Sequence, residues 1–137
     1  MAKIIEYITI NYAVGDLEAA VGKFRALGLG NVAANIMPDP PAQITDVTFP
    51  LGDQGAISLV APTDPTSTVQ KFLERKGEGM LSFAVRVDDL TALMEEWSAH
   101  GIEWVLPEPY TFPAGTAAAR YKVETLKANW VKPGSLH

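Results

Sequence analysis

Asp46 lies in the stretch ITDVTF between two β-branched residues, and side-chain alternation along such a run puts it on the opposite side from Val47 and Phe49. A carboxylate partly desolvated beside Thr48 can serve as a general base, because burial disfavours its charged form and strengthens it as a proton acceptor. The competing use is a solvated residue near a strand end. The same alternation gathers Tyr7, Thr9, Asn11, Asn35, Thr48, Ser58, Met80, Ser82 and Arg86 on the side of Asp46. This lining is polar but mostly neutral, and its hydroxyls and amides can donate to an oxygen on which negative charge develops. For Thr9, Ser58 and Ser82 the simpler role is pocket lining without direct chemistry. Arg86 could hold an anionic or enolate oxygen, although a rim salt bridge is the commoner use of such a residue.

The second half offers AARYKVETLKANWVKP, with Glu124 as the acid or base that proton exchange on two faces of a carbon would need. Its plain alternative is a surface ion pair with Lys122 or Lys127. Trp130 could stack on an aromatic ligand or fill a sheet core. The segment from Tyr110 to Arg120 is longer and more apolar than a turn requires, so it reads either as a lid or as a connector. His100 precedes Gly101 at a helix end, where bonding to the last carbonyls is its ordinary role.

These residues need elements to hold them. Residues 4 to 14 alternate as a strand, and Asp16 then caps a helix carrying Leu17, Ala20, Val21, Phe24 and Leu27 at helical spacing, stopped by Gly28 to Gly30. Strands are expected over residues 31 to 37, 44 to 51 and 56 to 61, giving a βαβββ module over about 4–62. A linker over 63–79 contains a short helix capped by Ser67 or Thr68. The order then restarts over about 80–137: strand 80 to 87, helix 89 to 100, strand 102 to 106, and a strand between about 119 and 131. The turn at Lys132 to Ser135 calls for one further strand after His137, and without it the sheet keeps an open edge. Aligning TINYAVGDL with SFAVRVDDL sets Thr9 on Ser82, an offset of 73 residues with three of nine positions identical. Two curled sheets of this kind, side by side, enclose a cup.

The 137 residues suit one domain, and the net charge of −5 argues against nucleic acid and anionic membrane as partners. There is no cysteine, so disulfides and thiolate chemistry are excluded, and His100 and His137 are the only imidazoles. No apolar run approaches the roughly 20 residues that cross a bilayer, and a cytoplasmic location is expected.

The segments AVGDLEAAVGKFRALGLG, FPLGDQGAISLVAP, FLERKGEGMLSFAVRVDDL and HGIEWVLPEP, in this order and spacing, resemble the vicinal oxygen chelate superfamily of glyoxalase and bleomycin-resistance proteins. The resemblance is closest to its methylmalonyl-CoA epimerase-like branch. It implies an α+β fold of paired βαβββ modules forming a cup, and a homodimer. It also implies metal ligands at positions that here carry Thr9, Ser58 and Ser82, with a last ligand beyond His137. Hydroxyls are poor ligands for a divalent ion, so no metal and no other cofactor is expected. The implied function is a metal-independent racemase or epimerase acting on carbon next to the carbonyl of a small molecule or CoA thioester. Asp46 and Glu124 would be catalytic, with Thr9, Asn11, Ser58, Ser82, Arg86 and Trp130 holding substrate. A non-catalytic small-molecule binding protein and a metal-free lyase are the alternatives.

Overall fold

The computed structural model describes residues 1–30, 34–52, 55–112 and 126–136. The chain divides into two units, residues 7–84 and residues 1–6 with 85–137. The fold is mixed α+β, with three α-helices and a multi-stranded sheet among the described residues.

In the unit 7–84 the elements are β1 (Ile4–Ala13), α1 (Leu17–Ala26), β2 (Asn35–Met37), β3 (Ile44–Pro50), β4 (Ala56–Pro62), α2 (Thr68–Lys76) and β5 (Gly79–Val87), with β1 and β5 running on past its limits. They make one sheet in the order β2-β3-β4-β1-β5. β3 is antiparallel to β2 and β4, whereas β1 lies parallel to β4 and pairs Thr9 with Ala56 and Asn11 with Ser58. Directly paired residues share a sheet face, so this register sorts the side chains. Val47, Phe49, Leu59 and Ala61 form one face with Val14, and Leu17, Ala20, Val21 and Phe24 of α1 pack on it. Phe24 and Phe49 meet at 5.2 Å between ring centroids, tilted by 50°.

α2 covers part of the other face. Its Val69 is buried with Ala13 and Val60, and Phe72, Leu73 and Ile44 pack against them. Ala13, Val60 and Ile44 supply an apolar corner on the otherwise polar parity, and α2 takes it. Ser67 caps this helix, accepting from Val69 N and donating to the Ala42 carbonyl. At the far end of β1 the Tyr7 hydroxyl donates to the Ala56 carbonyl at 2.7 Å. Its ring lies over Gly55, whose φ of +132° is one that L side chains rarely adopt.

The unit formed by residues 1–6 and 85–137 holds α3 (Leu90–Ser98) and a two-stranded antiparallel sheet of β6 (Tyr110–Phe112) and β7 (Leu126–Ala128). Leu93 of α3 is buried, and Trp97 stacks on Trp104 at 5.8 Å. The strand expected over residues 102 to 106 is reduced to a single bridge between Trp104 and Val131. Side chains do part of the ladder's work there. Leu106 N donates to Asn129 Oδ1 at 3.1 Å, and Asn129 Nδ2 returns a bond to the Leu106 carbonyl at 2.9 Å. Glu103 N donates to Ser135 Oγ at 2.9 Å. Segment 102–106 is thus hydrogen-bonded to 129–135 without extended pairing on both sides. Pro133–Leu136 form a 3-10 turn where the sequence led us to expect a turn into another strand. Of the strand expected between about 119 and 131, residues 119–125 lie outside the described residues, as do residues 113–120 of the segment read as a lid or connector.

Candidate functional site

The parallel pairing of β1 on β4 brings residues far apart in sequence onto one face of the unit 7–84. The register sets Asn35 beside Asp46, and Thr48 beside Ser58 beside Asn11. Three hydroxyls interlock: Thr9 donates to Ser58 at 3.1 Å, and Ser58 and Thr48 share a bond of 2.9 Å. Thr9, Thr48 and Ser58 are all more than nine-tenths buried. Buried polar atoms need partners, and these three supply one another. Next to them Asn11 Nδ2 donates to Ser82 Oγ at 3.0 Å, joining β1 to β5 through half-buried side chains. Ser82 accepts in this bond, and a hydroxyl that accepts can still donate. Asp46, also half-buried, takes a bond from Asn35 Nδ2 at 3.3 Å.

Five of the expected site residues, Thr9, Asn11, Asp46, Ser58 and Ser82, therefore fall in one unit and on one face. Arg86 and Trp130 belong to the other unit. Arg86 Nε pairs with Glu6 at 2.7 Å, both side chains well exposed, which is the geometry of a rim ion pair. The Trp130 carbonyl accepts from Val105 N at 2.7 Å, and its side chain is half-buried. Glu124 lies outside the described residues. Asn35, which alternation placed on this face without a role, proves to be the cross-strand neighbour of Asp46; the signal was its parity, and the pairing of β2 with β3 gave it a partner.

The family resemblance implies a divalent metal at Thr9, Ser58 and Ser82, and the residues present do not fit one. All three are neutral hydroxyls, two of them bonded to each other and the third to an amide. They supply neither the charge nor the imidazole basicity that such an ion requires. Among the described residues no group of three or more His, Asp or Glu is placed to hold an ion. Likewise, among these residues no helix is long and apolar enough to cross a membrane.

The sequence profile of the Glyoxalase/Bleomycin resistance protein/Dioxygenase superfamily matches residues 9–120. A search of curated proteins returns no match. Among solved structures, methylmalonyl-CoA epimerase from Mycobacterium tuberculosis is similar at 27% identity and a TM-score of 0.80, covering 97% of this chain and 82% of that one. A variant of Streptomyces coelicolor methylmalonyl-CoA epimerase in complex with 2-nitronate-propionyl-CoA shows 22% identity and a TM-score of 0.77, covering 98% of this chain and 92% of that one. A hypothetical protein from Bacillus halodurans shares the fold at 19% identity and a TM-score of 0.73, covering 98% of this chain and 87% of that one.

Proposed function

The chain belongs to the glyoxalase/bleomycin resistance protein/dioxygenase superfamily, and from that premise we propose that it is an isomerase exchanging the proton on carbon next to a carbonyl, without a metal. The carrying observation is the polar face of the unit 7–84, where the Asp46 carboxylate shares a face with the paired donors Asn11 and Ser82. The similar structures of methylmalonyl-CoA epimerases support the reaction class and a CoA-thioester or similar carbonyl substrate. Asp46 takes the proton from carbon; the Asn11 amide and the Ser82 hydroxyl hydrogen-bond the oxygen that gains charge. Donors already fixed in place stabilise such an oxygen without reorganising, and that supplies much of what a Lewis acid would. Thr9, Thr48 and Ser58 hold the floor beneath them. Return of a proton to the opposite face requires a second acid, for which Glu124 is the candidate on sequence grounds. We place the protein in the cytoplasm as a homodimer; Met80 and Phe83 on edge strand β5 and Ile36 on edge strand β2 are each more than 60% exposed, and such edges call for cover.

A second reading, a binding protein that sequesters a small molecule, draws on the hydroxyls Thr9, Thr48 and Ser58 being occupied with each other. Solvent-deuterium exchange separates the two. The parent should wash deuterium from heavy water into the carbon next to the carbonyl of an acyl-CoA, and Asp46→Asn should slow this by roughly 10² or more. Exchange at the parent rate in Asp46→Asn removes the assignment of the base; ligand binding with no exchange in the parent establishes the binding protein.

A further inference from the structure

Asn35 is 7% exposed, on a three-residue edge strand, and its amide donates to the Asp46 carboxylate on the polar face. Asparagine is a poor strand former, and burying its amide is costly unless the amide is hydrogen-bonded. We propose that Asn35 is a positioning residue for Asp46, an inference that rests on the proposed role of that carboxylate as base. Asn35 and Asp46 are directly paired across β2 and β3, so the backbone ladder fixes the separation of the two side chains. An amide N–H donated at 3.3 Å to Oδ1 restrains rotation of the carboxylate. It also favours the ionised form, the one that accepts a proton. An amide does not titrate, so this donor persists at every pH at which the enzyme works, as a histidine or lysine donor would not. A base must be both ionised and aimed, and Asn35 contributes to each.

The test uses Asn35→Leu, which keeps the side-chain size and deletes the donor, and Asn35→Asp, which replaces the donor with a second carboxylate. Deuterium exchange into an acyl-CoA is followed against pH for the parent and both variants, with Asp46→Asn as the reference for loss of the base. The acidic limb of the profile should move to higher pH in Asn35→Leu and further in Asn35→Asp, because a like charge opposes ionisation more than the loss of a neutral donor does. At neutral pH kcat should fall roughly tenfold in Asn35→Leu while KM stays within about twofold, since a misaimed base affects the chemical step more than binding. A second readout needs no activity: carbon-13 titration of the Asp46 carboxyl in labelled protein should show the same upward movement in Asn35→Leu. Superimposable profiles and titrations in parent and Asn35→Leu, with Asp46→Asn inactive, overturn the positioning role and leave the base in place. An Asp46→Asn variant as fast as the parent overturns the base itself, and the titration then decides whether the pair exists without it. If one Asn35 variant fails to fold, the other carries both measurements.

Discussion

Asp16 and Asp89 stand at the start of α1 and α3, each in extended backbone and each accepting at 3.0 Å from the amide three residues on, Ala19 and Ala92. The correspondence runs through both helices to their ends. Gly28 and Gly101 have φ of +89° and +86°. Leu29 N bonds the Phe24 carbonyl at 3.3 Å as Ile102 N bonds that of Trp97 at 3.2 Å. These pairs all keep the offset that separates Thr9 from Ser82 in the sequence. Beyond the helices the two regions part. After α1 the chain forms β2, β3 and β4 and returns beside β1, so Thr9 is buried against Ser58; after α3 the described chain gives a bridge, a pair of three-residue strands and an amide clasp. Local signals at caps survive in both copies, whereas the polar face depends on long pairings that occur, among the described residues, in one.

The largest test of that contrast is in the core. Phe49→Ala removes a fully buried ring that meets Phe24 and should cost about 3–5 kcal/mol in chemical denaturation of the whole chain. Half-buried Trp97, the counterpart of Phe24 in the second copy, should cost less on truncation to Ala; an equal loss would mean that the second region is as tightly cored as the first. Next come the two kinds of hydroxyl. Thr48→Val strands one bond of a buried trio and should lower stability by about 1 kcal/mol, while Ser82→Ala at a half-buried site should lower it by about half as much and have the larger effect on deuterium exchange. Reversal of either order would mean that the buried trio, and not the Asn11–Ser82 pair, faces the ligand.

Capping comes third. Asp16→Ala and Asp89→Ala should each destabilise by about 1 kcal/mol, and by nearly the same amount, since their geometry matches. A thermal-melt series in which one is silent would break the equivalence of the copies. The smallest effect belongs to Asp64, whose carboxyl is held below the usual range by the Thr66 hydroxyl and then by the Thr66 amide. A depressed carboxylate stabilises the fold at pH above its unfolded value, and that contribution is lost as pH falls through the folded value. The acid side of the stability curve should therefore flatten slightly in Asp64→Asn and keep its shape above neutrality.

What could be read from the sequence follows the same division. Asp16 is recognisable as a cap, and Ser67 as one of two candidates with Thr68, because capping is settled within four residues. Alternation placed Asn11, Asn35, Asp46, Thr48, Ser58 and Ser82 on a common side because a strand's period is two. Alternation cannot tell which of them touch. The bond from Thr9 to Ser58 spans 49 residues, and that from Asn11 to Ser82 spans 71, so both depend on a register set by the whole sheet. The strand expected over 102 to 106 failed for a similar reason: nothing local reveals that the Asn129 amide will occupy the donor and acceptor of Leu106. Arg86 found its carboxylate at Glu6, a partner 80 residues away that alternation does not rank.

Gly55 lies under the Tyr7 ring, and a methyl group added there would fall well inside contact distance of the ring and close to the Ile8 carbonyl. In a mutational library Gly55 should therefore tolerate almost nothing. Trading Tyr7 for something smaller clears the space and gives up the hydroxyl bond to Ala56, but any side chain at Gly55 still sits on a backbone with φ of +132°. Diversification to recruit new ligands is accordingly best begun at Tyr7, with Gly55 held fixed.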